Sequence, residues 1–225
     1  MVVKILDINS VTRDVKRFTV EKPKGFKFTP GQATKVSINK PDWLDKKRPF
    51  TFTSLNSDPN LEFIIKGYPL REYPNHTGVT EAIHKLEKGD ELIIDEPWGT
   101  INYNGKGVFI AGGAGITPFV AIFRQLVKDG GIYGNKLLFS NKTQKDIILE
   151  KELKKSFSEK DLVLTLTRKE VGGYENGRID EKFLQKHVDN FSQNFYICGP
   201  KVMMGDLKET LSNLGASINS IVFEQ

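Results

Sequence analysis

Cysteine occurs once in this chain, at Cys198, among 225 residues. That excludes an internal disulfide. It also excludes a cysteine-ligated iron–sulfur cluster built from these residues alone, since such clusters take four thiolates. Histidine is nearly as scarce. His76, His84 and His187 stand far apart without metal-ligand spacing, so they read as surface residues and no metal is expected. Long apolar runs are also missing. None approaches the roughly 20 residues that cross a bilayer, and no membrane insertion is expected. The opening M-V-V-K-I-L-D-I alternates like a strand and lacks the apolar region of a signal peptide, which makes cytoplasm the expected compartment. There is no internal repeat and no long block of Lys or Arg. The net charge of +5 arises from interspersed signs. Aromatic and basic residues do not interleave in a stacking pattern, so nucleic acid is not an expected partner. The modest positive balance is either a solvated surface or a field that steers an acidic protein or a phosphorylated small ligand.

What is present follows two grammars. From Val2 to Asp95, short β-rich segments alternate with turn signals: Val2–Asn9, Val15–Glu21, Thr34–Ile38, Phe50–Ser54, Leu61–Gly67 and Glu91–Asp95. Pro23, Gly25, Pro30-Gly31, Pro41 and Asp58-Pro59-Asn60 separate them, and one helix is expected over Thr80–Leu86. Six strands with one helix predict a small antiparallel β-barrel. After Gly99 strands alternate with helices. The strands are Val108–Ala111, Lys136–Phe139, Leu162–Thr167 and Asn194–Ile197; the helices are Pro118–Lys128, Ile147–Lys155, Asp180–Lys186 and Lys201–Asn213. This order predicts a doubly wound α/β domain with a parallel sheet. The boundary falls in the polar stretch Gly99–Lys106, giving domains over 1–103 and 104–225, a comfortable size for each.

Three stretches suit a phosphate. In V-F-I-A-G-G-A-G-I-T-P, Val108–Pro118, a buried strand runs into a glycine turn and then a helix with proline in its first turn. Backbone N–H groups there can approach an anion, and the helix start adds partial positive charge. The same residues would also make an ordinary tight strand–helix connection. In R-P-F-T-F-T-S, Arg48–Ser54, Arg48 can clamp a phosphate with its guanidinium. Phe50 and Phe52 share one strand face and Thr51 and Thr53 the other, which suits a planar heterocycle with a polar edge or simply a phenylalanine core. In G-V-T, Gly78–Thr80, a glycine and a hydroxyl open a helix; Glu81 is expected to face away from an anion.

Together these residues resemble the ferredoxin–NADP reductase superfamily. R-P-F-T resembles its R-x-Y-[S/T] flavin motif, and G-V-T its second flavin motif, followed by a short helix and the Gly89-Asp90 turn. Phe28–Gln32 is similar to the F-x-P-G-Q turn, and G-G-A-G-I-T-P to the nicotinamide-domain loop. Tyr196–Met204 is similar to C-G-P-x-x-M, and Phe223-Glu224 to a terminal motif of several subfamilies. The matches occur in order along nearly the whole chain. The resemblance implies FAD held by Arg48, Pro49, Phe50, Thr51, Ile65, Lys66, Gly78, Val79 and Thr80. Arg48 and the Gly78–Thr80 turn would take the pyrophosphate, Phe50 would lie against the isoalloxazine, and Thr51 would bond near N5. It implies a pyridine nucleotide received by Gly113, Gly115, Thr117, Pro118, Cys198, Gly199 and Pro200, with Cys198 and Glu224 beside the nicotinamide. Thr51, Cys198 and Glu224 are thus the implied catalytic residues, for hydride passage from nicotinamide C4 to flavin N5. Phe50 departs from the usual tyrosine: stacking survives, but a phenol hydrogen bond to flavin is lost.

No carboxylate follows the second α/β strand until Asp146, where NADH-selective folds often carry one. Thr167-Arg168 resembles the S-R pair used on a 2′-phosphate, and Arg178 can join it. NADPH is therefore expected over NADH. The functional expectation is an FAD-dependent NADPH oxidoreductase passing single electrons to an acidic carrier such as ferredoxin or flavodoxin. The alternatives are a free-flavin reductase, an electron-transfer subunit of a larger complex, and a nucleotide-binding regulatory module, which would leave the barrel motifs idle.

Overall fold

The computed structural model describes residues 1–99 and 101–217 and the backbone of 221–223. The chain divides into two compact units, Met1–Gly99 and Thr100–Gln225. The first contains β1 (Val2–Thr12), β2 (Val15–Val20), β3 (Ala33–Ile38), β4 (Arg48–Thr51), β5 (Leu61–Lys66), the short helix α1 (Val79–His84) and β6 (Glu91–Ile94). The strands form an antiparallel sheet in the order β4-β3-β6-β1-β2-β5. A bridge from Phe52, just past β4, to Phe63 on β5 joins the two edges of the sheet. Alternation explains the interior. Val3, Ile5, Phe18, Val20, Val36, Ile38, Phe63, Ile65, Leu92 and Ile94 point inward, and Val79 and Ile83 of α1 plug the same core. Each such side chain contributes about 1.5–3 kcal/mol by burial.

The second unit holds β7 (Gly107–Gly112), α2 (Thr117–Lys128), β8 (Lys136–Asn141), α3 (Glu150–Ser156), β9 (Leu162–Leu166), β10 (Glu175–Asn176), α4 (Glu181–His187), β11 (Asn194–Cys198), α5 (Lys201–Asn213) and β12 (Ile221–Phe223). All pairings are parallel, in the order β10-β9-β8-β7-β11-β12. The chain steps outward from β7 in one direction and then returns to the other side of it with β11. The strand order therefore reverses between β7 and β11. One face packs α4 and α5 through Phe183, Leu184, Leu207 and Leu211 against Val108, Ile110, Leu138 and Ile197. On the other, Phe109 meets Phe119 and Phe123 of α2 edge-on, and Phe123 meets Phe157. Residues Pro118–Phe123 are buried without interruption, so the start of α2 is wedged in place.

Two expected elements change. The helix expected from Ile147 begins at Glu150: Asp146 closes a capping box with Thr143, Ile147 is extended, and Leu149 adopts φ +57°. Ile147, which is extended, and Ile148, in the turn that follows, are both buried in that connection, so their apolar spacing mimicked a helix. The strand expected over Phe50–Ser54 is shifted earlier, to Arg48–Thr51, because Ala33–Val36 of β3 pairs with those residues. The edge pairs β10 and β12 carry no strong alternation and were not expected.

Candidate functional site

In the barrel, the three motif stretches have different jobs. Thr29–Gln32 is a tight turn with Pro30 at its second position and Gly31 at φ +99°. The Thr29 N–H donates to Gln32 Oε1 at 2.7 Å, and the Gln32 carbonyl accepts from the Phe52 N–H at 3.1 Å. This turn delivers Phe28 to the core, stacked on Phe52 with ring centroids 4.4 Å apart. Phe52 is fully buried, whereas Phe50 is half-exposed over the same core. The two phenylalanines share a strand face, but only Phe50 retains surface for a ligand. Thr53 donates to the Glu62 carboxylate at 2.8 Å and belongs to the barrel wall. Thr51 is buried and makes no side-chain hydrogen bond among the described residues.

Arg48 links two of the motifs. Its Nη2 donates to Thr77 Oγ1 at 2.6 Å, and its Nη1 to the Lys47 carbonyl at 2.7 Å. Thr77 immediately precedes Gly78, whose φ of +75° turns the chain into α1. The guanidinium thus stands at the turn where the first N–H groups of α1 have no helical acceptor. Thr80 accepts from the Tyr68 N–H at 3.2 Å and keeps its own hydroxyl proton to donate. Glu81 faces back to the loop: it accepts from the Leu70 N–H at 2.9 Å and pairs with Lys85, and both hold its carboxyl below the usual range. A cavity of about 380 Å³ beside the turn is lined by Trp43, Leu70, Thr77 and Gly78, and also by Glu81, whose charge is offset there by its pairing with Lys85. This shape and donor set fit a phosphate followed by a larger group.

Ile65 and Lys66 end β5, whose continuation brings the Tyr68 N–H to Thr80 of this turn. The Ile65 side chain is enclosed in the core and its carbonyl lies 2.8 Å from His84 Nε2; Lys66 pairs with Asp14 at 2.9 Å. His84, expected at the surface, is packed beneath β5, where burial pushes its imidazole below the ordinary value. Thr77 was missed by sequence reasoning. Its only signal is adjacency to Gly78, and the Arg48 contact spans 29 positions.

The second unit builds its cradle from backbone. β7 ends at Gly112, a short turn covers Gly113–Ile116, and Thr117 with Pro118 starts α2. Gly113 has φ +54° and open space where a side chain would project. Gly115 is the reverse: a methyl there would run into the Cys198 carbonyl oxygen and come within 2.7 Å of Gly199 Cα. At Gly112 a methyl would lie 2.6 Å from Met203 Sδ. The glycine loop and the C-G-P-K-V-M-M stretch are therefore pressed together, backbone on backbone. Their meeting point is the carboxyl end of β7 and β11, where Ala111 pairs with Cys198. That is the strand-order reversal, the place where open α/β sheets take their ligands. Cys198 is buried there, Gly199 partly exposed and Pro200 exposed. Thr117 Oγ1 donates to the Ala114 carbonyl at 3.0 Å and shapes the turn.

Thr167 and Arg168 leave β9 on the same edge, tied to the β8 loop by N–H bonds to Asn141 and Lys142 carbonyls at 2.9 and 3.1 Å. Arg178 follows β10 on that edge and, like Arg168, is exposed and unpaired among the described residues. Glu224 lies outside the described residues. Among those described, no cluster could hold a metal and no helix is long and apolar enough to cross a membrane.

Comparison with known proteins matches the FAD-binding domain family over residues 1–102 and the oxidoreductase NAD-binding domain family over 109–209. The reductase component of propane 2-monooxygenase from Rhodococcus jostii is 24% identical over 99% of this chain. The ferredoxin–NAD(P)+ reductase component of the naphthalene 1,2-dioxygenase system of Pseudomonas putida is 24% identical over 95%. The chain spans less than two-thirds of both, 62% and 65% of their lengths. A ferredoxin NADP+ reductase from Neisseria gonorrhoeae, solved with FAD and NADP, superposes with a TM-score of 0.84 at 20% identity, covering 100% of this chain and 97% of that one.

Proposed function

Because the chain belongs to the ferredoxin–NADP reductase superfamily, with an FAD-binding unit ahead of an NAD-binding unit, we propose that it is a flavin-dependent NADPH reductase serving a separate one-electron carrier. The observation that carries this reading is a phosphate-ready turn in each unit, one made of side chains and one of glycine backbone. In the barrel, Arg48 pairs with the flavin pyrophosphate, and Gly78, Val79 and Thr80 offer N–H and hydroxyl donors to it. The adjoining cavity has room for an adenosine end, which supports FAD over FMN. Phe50 would lie against the ring system of a bound flavin, and Thr51 would supply a hydroxyl to its polar edge. In the second unit Gly113, Gly115, Thr117 and Pro118 would receive the nucleotide phosphates, and Cys198, Gly199 and Pro200 would border the nicotinamide.

Bound flavin supplies the conversion of a two-electron donor into single-electron deliveries. The chain's contribution is to bind and orient each cofactor in its own unit, and positioning of that kind is worth several kcal/mol, up to about 7–11. Thr167, Arg168 and Arg178 favour NADPH by offering cations to a 2′-phosphate. The carrier is an acidic protein such as a ferredoxin or flavodoxin, a reading supported by the net charge of +5 and by relatives named as reductases of ferredoxin or cytochrome b5. Added salt should therefore slow carrier reduction. A rate unmoved by salt for every acidic carrier tried would remove that partner class.

The deciding experiment is the absorption spectrum of the purified protein before and after anaerobic NADPH. Flavin bands that bleach on addition are expected. Protein that shows no such bleaching even after FAD is supplied would overturn the reading. Phe50 favours one second reading, a reductase of exchangeable flavin, since it forgoes a phenol bond to the cofactor. Colourless protein that oxidises NADPH only with added flavin would select that version.

A further inference from the structure

Two loops lie side by side at the carboxyl edge of the parallel sheet, residues 142–146 after β8 and 167–174 after β9. Both carry exposed cations with no ion pair among the described residues: Lys142 and Lys145 on the first, Arg168 and Lys169 on the second. The second loop is tied at its start by the Thr167 and Arg168 N–H groups and contains Gly172 and Gly173, the latter at φ +84°, before its far end. Its far end is bolted down by Tyr174. The Tyr174 hydroxyl accepts from Gln144 Nε2 at 2.8 Å, on the first loop, and donates to Glu150 Oε1 at the start of α3. Lys154 completes the cluster, 2.6 Å from Glu150 and 5.2 Å from the centre of the tyrosine ring. The Glu150 charge is thereby neutralised inside the cluster instead of opposing an anion at the rim.

We infer that Tyr174 is a positioning residue for the 2′-phosphate end of the nucleotide, its hydroxyl fixing the cation-bearing loop after β9 against the loop after β8. The inference rests on the NADPH reading above and adds the residue that sets its geometry. Tyr174 acts through Arg168 and needs no contact with the nucleotide. The Arg168 N–H already holds the start of the loop on the Lys142 carbonyl; the hydroxyl holds its far end, and without it the residues between must be ordered at the moment of binding, a cost that falls only on a ligand that uses the cations of this loop. A dinucleotide without the 2′-phosphate is indifferent to it.

The test is steady-state kinetics of the full chain with NADPH and NADH for Tyr174→Phe, Arg168→Ala and the double variant. Tyr174→Phe should raise the NADPH KM about fivefold, the size of a hydrogen bond's net worth, and move the NADH KM by less than about twofold. The double variant should be no worse than Arg168→Ala, because the two act as one unit. Gln144→Ala, at an exposed position, removes one bond only and should give a smaller change in the same direction, which keeps the test alive if Tyr174→Phe folds poorly. An NADPH KM unchanged in both variants, or KM values raised equally for both donors, overturns the inference while Arg168→Ala still discriminates. If Arg168→Ala raises both KM values equally, the NADPH reading itself fails and the inference falls with it. Inhibition by 2′-AMP against 5′-AMP gives an independent readout: Tyr174→Phe should weaken only the former.

Discussion

In the barrel unit Arg48 reaches from β4 to Thr77 and presents a cation at the start of α1; in the parallel-sheet unit Gly115 has no side chain at all and rests on the Cys198 carbonyl. The first cradle is a pair of side chains on a frame that stands without them. The second is the frame itself, since the glycines that leave N–H groups accessible also let β7 and β11 converge. The difference teaches where each unit tolerates change. Removing a side chain from the first should cost ligand and spare the fold. Adding one to the second should cost both.

The largest effect is expected at Gly115→Ala, because the colliding atoms are backbone and cannot swing aside. It should destabilise the second unit by about 3 kcal/mol or more, seen as a lowered Tm and loss of nucleotide binding. Gly113→Ala sharpens the contrast. It meets no neighbour and carries only the left-handed backbone cost of about 1–2 kcal/mol. Equal losses at the two positions would show that conformation, not close approach, governs the loop.

Next comes Arg48→Ala. Loss of a charge-assisted bond should weaken flavin binding by about ten- to a hundredfold while the unliganded Tm moves little. A collapse of Tm would break the comparison by making the barrel cradle structural too. Smaller again is Thr77→Val, which removes the hydroxyl that orients Arg48 and should weaken flavin binding about fivefold. Thr77→Ser should restore most of it, and a failure to do so would assign Thr77 to packing rather than to Arg48.

The smallest effect concerns acid. Burial pushes His84 in the barrel and His187 in the other unit below the ordinary imidazole value. The folded state then binds fewer protons than the unfolded one, so stability is full above a pH of about 6.5 and declines as pH falls through the ordinary value toward the lowered one. His84→Gln should flatten that decline for the barrel only. Both tryptophans, Trp43 and Trp98, belong to the barrel unit, so their fluorescence reads its unfolding separately. An unaltered pH slope would show that His84 is not the titrating group.

Much of the fold was legible in the sequence because the periods are clean. Strand alternation in 2–95 and the strand–helix rhythm after 99 follow directly from which faces must be buried. The helix over Lys201–Asn213 has the same bounds in the structure. Legibility failed where local patterns compete with distant partners. Ile147 and Ile148 fit a helical spacing, yet a capping box and an αL leucine set them in a non-helical link. Phe50 and Phe52 share parity, and only the placement of Phe28 and Phe63 around Phe52 separates core from surface.

What the sequence determined by itself was the order of the two units, the chemistry class of their motifs and the exclusion of a cysteine cluster, because these depend on residue types and short-range spacing. Only the tertiary structure decided that Thr77 meets Arg48, that Tyr174 ties two loops together, and that Gly112–Gly115 closes against Cys198–Gly199. Those contacts join positions far apart in the chain. They exist because sheet order and helix packing bring the segments together, and no local period encodes which distant backbone will come to rest against a glycine.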